Sequence, residues 1–337
     1  MHFINNEIKL IAEIGGNHEG DFAYAIELIE LAAASNVEAI KFQIYSGDAL
    51  VNKDIDLRRK EHFDTFSFTD DQYLELAEKC SSLDVDFSAS VWSIRQIDLF
   101  DEHLSFYKIG SGDLTAFPII EHIALKGKPI IISTGLSNIE EIAETIDFIC
   151  DVNPVYKDIN MICIMHCTSS YPTPDNEINL NSIRFLQSTF NYHIGFSNHS
   201  TNPRAVDYAI ALGAKIIEFH FTDTREGKSF RDHKISLTKD DVLALKERIS
   251  FILDALGHRN KKPTSTEIAS KHIYSFRRGS FPARKIRKGE VVSLKDFVFL
   301  RPAEGISAKD IYCYIGKKAN RDLKALEILS PNDFEEK

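Results

Sequence analysis

The sequence predicts an α/β protein, a (β/α)8 barrel of the TIM type followed by a small, mainly β domain. Three observations carry this. Eight short, apolar, β-branched runs recur between residues 8 and 221, segments of helical periodicity separate them, and a polar stretch at 257–265 divides them from later pieces broken by Gly and Pro. A doubly wound sheet ordinarily has five or six strands, so eight strand–helix units in about 250 residues favour the closed barrel.

Strands are expected at 8–14, 39–44, 85–90, 106–109, 129–133, 161–167, 193–197 and 216–221. Helix candidates lie at 22–34, 70–83, 138–149 and 203–212, with a last one at 239–256 after the eighth strand. Two have clear start signals: Thr69-Asp70-Asp71, and Ser137-Asn138 with Glu140 and Glu141 in the first turn. Beyond the polar stretch, 278–283, 290–292 and 298–300 read as short strands. The expected division is a barrel at 1–260, a linker at 261–275 and the β domain at 276–337, with no short-period repeat.

At 337 residues, 43% hydrophobic and 27% charged, the chain can bury a large core. No apolar run approaches the ~20 residues a membrane span needs, and residues 1–20 lack the charged start and small-residue cleavage site of a signal peptide, so a cytoplasmic location is expected. Five cysteines without a CxxC pair argue against a disulfide framework or a zinc knuckle. The net charge of −10 argues against general nucleic-acid binding, yet residues 271–337 carry 15 basic against 9 acidic side chains, a net of +6 beside a body of −16. Such a basic segment is either a solvated charged face or a lid over an anionic ligand.

Barrel enzymes build their sites at the C-terminal ends of the strands, and here every end offers polar chemistry. The ends read Glu13 to His18, Lys41-Phe42-Gln43, Ser88-Ala89-Ser90, Lys108 to Asp113, Ser133-Thr134-Gly135, His166 to Pro172, Ser197 to Ser200, and Glu218-Phe219-His220. A lone strand lysine usually snorkels to the surface. Two of them, Lys41 and Lys108, with Ser111, Ser133 and the backbone of Gly110-Ser111-Gly112, suit a phosphate and a carboxylate. A lone buried histidine is usually satisfied by backbone, whereas His199 and His220 end adjacent strands and can share a divalent ion, with Glu13 and water completing the shell.

Taken in order, these residues resemble the sialic acid synthases and their legionaminic and pseudaminic acid relatives, barrels with a C-terminal antifreeze-like (SAF) domain. The resemblance rests on seven motifs: Ala12 to Gly20, Lys41-Phe42-Gln43, Lys108 to Thr115, Ser133-Thr134-Gly135, His166 to Pro174, Gly195 to His199 and His220-Phe221-Thr222. It implies condensation of phosphoenolpyruvate with an N-acylated amino-hexose, N-acetylmannosamine or a di-N-acetylated 6-deoxyhexose, to give a nine-carbon 2-keto-3-deoxy acid and phosphate. By the same resemblance a divalent ion, Mn2+ or Mg2+, sits on His199 and His220. Lys41, Lys108, Ser111, Ser133, Ser169 and Ser197 hold phosphoenolpyruvate; Glu13 and Asp113, with Lys41 beside them, form the catalytic set that manages water and its proton; Gln43, Tyr171 and Asp232 contact the sugar. The segments Arg284 to Val292 and Leu300-Arg301-Pro302 are similar to the antifreeze-like domain, which implies a domain-swapped homodimer placing Arg301 on the acceptor in the partner's barrel.

Three places depart from the family pattern, all expected at the acceptor end: Phe219 where a basic residue is common, the loop 224–231, and Ala303-Glu304 after Arg301-Pro302. Two rivals are a synthase of an eight- or seven-carbon 3-deoxy acid from a phosphorylated aldose, and a carbohydrate-binding relative without turnover. The first needs a second phosphate site, and the second would have lost Glu13, a lysine or a histidine.

Overall fold

Residues 4–258 and 260–335 are described here from a computed structural model; residues 1–3 and 336–337 of the expected domains, and Arg259 of the polar stretch, lie outside them. Eight parallel strands close in chain order: β1 (Lys9–Glu13), β2 (Ala39–Ile44), β3 (Asp86–Val91), β4 (Tyr107–Ile109), β5 (Ile130–Ser133), β6 (Ile162–His166), β7 (His193–Asn198) and β8 (Ile216–His220), which pairs with β1. Every bound falls within one residue of expectation, because parallel strands buried on both faces read as continuous apolar runs.

Ten helices accompany the described strands: α1 (Phe22–Ala33), α2 (Gly47–Leu50), α3 (Leu57–Phe66), α4 (Asp70–Ser82), α5 (Ile94–Phe100), α6 (Phe117–Leu125), α7 (Ile139–Val152), α8 (Asn181–Thr189), α9 (Arg204–Ala211) and α10 (Lys239–Leu256). Capping boxes open α4 (Thr69 with Gln72), α7 (Asn138 with Glu141) and α10 (Thr238 with Asp241). Along α7, Ile142, Ile146 and Ile149 form the buried stripe that docks the helix on the barrel. By contrast, α3 buries no residue, so no apolar stripe announced it.

Alternation along the strands makes two apolar layers. Outward residues such as Leu10, Ile40, Phe42, Phe196 and Phe219 pack against the helices. Inward, Ile4, Ile11, Ala39, Phe106, Ile131, Cys163, Met165 and Ile216 form a separate cluster with no solvent exposure, which closes the barrel floor. The interior leaves no room at Gly195, where a Cβ would sit 2.7 Å from the Ile216 carbonyl oxygen and 3.0 Å from Met165. This is a position only glycine fills.

The second unit spans His258–Lys337. Its first part is not the featureless linker expected: α11 (Ser265–Ala269), opened by a Thr264–Glu267 capping box, and α12 (His272–Phe276) are helical turns too short to show periodicity. Strands β9 (Gly279–Pro282) and β10 (Phe297–Leu300) pair antiparallel, whereas the expected strand at 290–292 forms only a single bridge, Val291 to Lys318. Ile286, Val292, Phe297, Ile311, Leu323 and Phe334 belong to its own core. A repeat of longer period emerges here, Arg284 to Asp296 against Arg321 to Asp333. Arg284 pairs with Glu290 and Asp296 while Ser293 caps onto Asp296, and Arg321 pairs with Glu327 and Asp333 while Ser330 caps onto Asp333, with identical spacing. Two arginines of the basic surplus are therefore committed to holding this unit together.

Because both apolar layers of the barrel are built from residues before Gly257, a chain ending at Lys262 should unfold in one cooperative thermal transition with helical circular dichroism intact. A broad, dye-binding melt would contradict this.

Candidate active site

Above the apolar floor, the same inward alternation turns polar. Glu13 on β1, Lys41 on β2, Lys108 on β4 and Glu218 on β8 are 2%, 3%, 4% and 6% exposed, and they neutralise one another inside the barrel. Lys41 Nζ lies 2.6 Å from Glu13 Oε2 and 4.0 Å from Glu218 Oε2; Lys108 Nζ lies 3.7 Å from Glu218 Oε1. Gln43 donates to Glu13 Oε1 at 2.8 Å, Lys108 donates to Ser133 Oγ at 2.6 Å, and Ser197 donates to Glu218 Oε1 at 3.1 Å.

Burial pushes the Lys41 ammonium down, but Glu13 and Glu218 outweigh it and its pKa is raised. For Lys108 burial wins, helped by Lys41, and its pKa is lowered. Burial pushes the Glu218 carboxyl up, yet Lys108 and Lys41 prevail and hold it at about 2. Each ammonium has three donors, and these partners do not use them all, so the pair can receive an anion from the cavity.

Next to Lys108, Ser111 Oγ accepts from the Gly135 N–H at 3.1 Å and touches Cys167 Sγ at 3.1 Å. A Cβ on Gly135 would lie 2.4 Å from Ser169 Oγ and 2.9 Å from Ser111 Oγ, so glycine is what lets two hydroxyls converge. In the turn after β4, Asp113 Oδ2 accepts from the Trp92 indole N–H at 2.5 Å, and burial raises the Asp113 carboxyl against the pull of that bond and of Lys108.

The imidazoles of His199 and His220 face each other with ring centroids 5.7 Å apart, and Tyr171 stacks 4.2 Å from His199. His199 Nδ1 is satisfied by the Thr168 carbonyl at 2.8 Å, which leaves Nε2 as an acceptor; burial and His220 hold its pKa down to about 4, so the ring is neutral at pH 7. His220 Nδ1 is buried without a hydrogen-bond partner, 3.9 Å from Asp232 Oδ2. Two facing imidazoles, one with a buried nitrogen that lacks a partner, fit a divalent ion. Among the described residues no three His, Cys, Asp or Glu converge as a complete ligand set, and Glu13, expected to complete the shell, is held by Lys41 and Gln43 instead. The remaining positions would fall to water and substrate.

All these groups open into one cavity of about 1180 Å3, whose outer wall is Phe63 and Phe66 of α3, Phe230, Ile55, Arg59 and Arg231. Thirteen of the fourteen residues singled out in the sequence line it: Glu13, Lys41, Gln43, Lys108, Ser111, Asp113, Ser133, Ser169, Tyr171, Ser197, His199, His220 and Asp232. Arg301 belongs to the second unit, where its guanidinium lies 5.5 Å above the Phe276 ring. Phe219 is turned into the helix layer, so its departure from the pattern does not touch the acceptor end. Within the first motif, Asn17 ties Phe221 and Ser236 together and His18 stacks on Phe68, which makes them structural. Glu218, named from the sequence at the end of the eighth strand but given no role there, is marked as inward by the two-residue period counted back from His220; Trp92, one residue past β3, was not singled out.

The family model described as NeuB family matches residues 28–261, and the SAF domain model matches residues 277–335. The N,N'-diacetyllegionaminic acid synthase of Campylobacter jejuni is 33% identical over 95% of this chain and 98% of its own length. The human N-acetylneuraminate-9-phosphate synthase is 30% identical over 92% of this chain and 88% of its own. The crystal structure of an N-acetylneuraminic acid synthetase from Leptospira borgpetersenii superposes with a TM-score of 0.73 at 28% identity, covering 79% of this chain and 91% of that one.

Removing one member of a buried ion pair leaves the others uncompensated, at about 3 to 5 kcal/mol. Glu218→Gln should lower stability by that order in urea unfolding at pH 7. Because the Glu218 pKa is depressed from 4.5 to about 2, its contribution is complete above 4.5 and fades as pH falls toward 2. The gap between wild type and variant should therefore narrow from pH 5 to pH 3, and a pH-independent gap would contradict the placement of this charge.

Proposed function

The chain belongs to the NeuB family and is an enzyme of the phosphoenolpyruvate-dependent sialic acid synthase type, and from that premise we propose that it joins phosphoenolpyruvate to an open-chain N-acylated amino-hexose, releasing phosphate and a nine-carbon 2-keto-3-deoxy acid. The observation that supports this best is the layering of one cavity, with two ammoniums and converging hydroxyls beneath and two facing imidazoles above. Lys41, Lys108, Ser111, Ser133, Ser169 and Ser197 take the carboxylate and phosphate of phosphoenolpyruvate. A divalent ion on His199 and His220, Mn2+ or Mg2+, would supply Lewis-acid polarisation of the acceptor's carbonyl oxygen.

C3 of phosphoenolpyruvate then attacks the aldehyde carbon, whose oxygen takes up a proton to become a hydroxyl; water adds at C2, and the C2–O bond to phosphate breaks to leave a ketone. Asp113 or Glu13 accepts the proton that water gives up. Gln43, Tyr171 and Asp232 orient the sugar. On the rim Arg231 is paired with Asp232 and lies over the Tyr171 ring, and Arg59 lies over the Phe63 ring, which supports an uncharged, acyl-bearing acceptor such as N-acetylmannosamine or a di-N-acetylated 6-deoxyhexose over a phosphorylated aldose. Arg301 serves the acceptor in a domain-swapped homodimer, and the reaction, between two small soluble metabolites, belongs to the cytoplasm.

Purified enzyme supplied with Mn2+ and a panel of acetamido-hexoses should release phosphate with a product mass equal to sugar plus pyruvate; metal-stripped protein or His220→Ala should lose on the order of 10³-fold in rate. Undiminished turnover without metal would sink the metal assignment, and turnover of arabinose 5-phosphate instead would sink the nine-carbon reading. The chain ending at Lys262 should bind phosphoenolpyruvate yet fail to turn over sugar. Full activity in that chain would remove Arg301 from the mechanism.

Lys108→Met deletes one charge-assisted contact in a dehydrated site, at about 2 to 3 kcal/mol. The KM for phosphoenolpyruvate should rise roughly 30- to 150-fold, far more than that for the sugar. Equal rises would show that Lys108 does not face phosphoenolpyruvate.

A further inference from the structure

Trp92 is the sole tryptophan of the chain, and it lies on the cavity wall beside Asp113. The alternation that turns Ser88 and Ser90 inward continues past the end of β3 to this residue. Its ring is held by Tyr45, centroids 5.4 Å apart, and Tyr45 packs in turn against Phe63 of α3 at 5.1 Å. With its ring so held, the indole N–H reaches Asp113 Oδ2 at 2.5 Å. Among the described residues this is the single hydrogen bond to the Asp113 carboxylate, so Oδ1 is left to take a proton.

We propose that Trp92 is a positioning residue of the reaction, its indole N–H fixing one oxygen of Asp113 so that the other receives the proton released by water. This rests on the reading of Asp113 as a base. Three influences meet at that carboxyl: burial pushes it toward the protonated form, while the indole N–H and Lys108, the charged group that faces it, pull the other way. An indole is an unusual choice for this task. Its N–H donates without carrying a charge, so it stabilises the carboxylate without competing with Lys108 for the anionic substrate. Loss of the donor leaves burial opposed by Lys108 alone, so Asp113 must titrate higher. A base that titrates higher is protonated over more of the acid range, and activity there is lost.

The test uses full-length enzyme with Mn2+, phosphoenolpyruvate and the acceptor that the panel identifies. The quantity read is kcat/KM against pH for wild type, Trp92→Phe, Asp113→Asn and the double variant. Trp92→Phe should move the acid limb up by about one pH unit, a tenfold loss below the limb that largely recovers above it. Asp113→Asn should abolish the limb, and adding Trp92→Phe to it should cost nothing more, since the indole acts only through the carboxylate. An unmoved limb in Trp92→Phe beside an inactive Asp113→Asn would overturn the proposal and leave the Asp113 reading intact. An active Asp113→Asn that keeps its limb would overturn both.

A second readout needs neither turnover nor a change at Trp92. As the chain has one tryptophan, emission of the wild-type protein should titrate with Asp113, and Asp113→Asn should shift the emission and remove the titration. Identical emission in the two proteins would overturn the contact and the proposal with it.

Discussion

Two ammonium ions inside a barrel set the terms for everything around them. Transferring each from water costs several kcal/mol, and the interior can hold Lys41 and Lys108 only because Glu13 and Glu218 stand on the same polar level. That requirement distributes residues over the strands: acids on the neighbouring β1 and β8, lysines on β2 and β4, with Ser133 accepting from Lys108 and Ser197 donating to Glu218. It also explains why the apolar cluster of the floor stops where it does, since the charges need a polar level of their own above it. The balance of two cations and two anions is neutral, so an incoming anion finds donors without meeting a site already repelled from within.

The same economy governs the upper cavity. Tyr171 is at once the stacking partner of His199 and the face beneath the Arg231 guanidinium, while Arg231 also donates to Asp232, itself beside His220. Side chains that face the cavity and side chains that hold those in place are interleaved on successive strand ends. A change at one of them is therefore transmitted to its neighbours through packing.

Much of this was legible in the sequence because a fully buried parallel strand leaves an uninterrupted apolar signature, and a polar residue at its C-terminal end stands out against it. Glu218 was harder to see. It sits inside an apolar run, and only the inward direction of His220, two residues on, shows that it faces Lys108 and not the helices. The same period explains why Phe219, one residue over, points the wrong way to matter for the acceptor. Helix α3 left no signal because it fully buries no residue, Phe63 and Phe66 being only half-buried, and α11 and α12 are too short for a period to form. The paired Arg, Glu, Ser and Asp of the second unit is spread over thirteen positions, and although Ile286 and Val292 recur as Leu323 and Leu329 between them, the identical residues are too few and too far apart to stand out as a repeat.

The sealed floor also has a kinetic meaning. With Ile4, Ile11, Phe106, Ile131 and Ile216 plugging one end, the described residues leave the barrel open only at the other, and its deepest berth is the one beside the lysines. A molecule bound there is covered by whatever docks under the imidazoles, so the two berths fill from the bottom and empty from the top. Traffic through such a shaft is last in, first out: an occupant of the upper berth that arrives early does not wait its turn but blocks the passage.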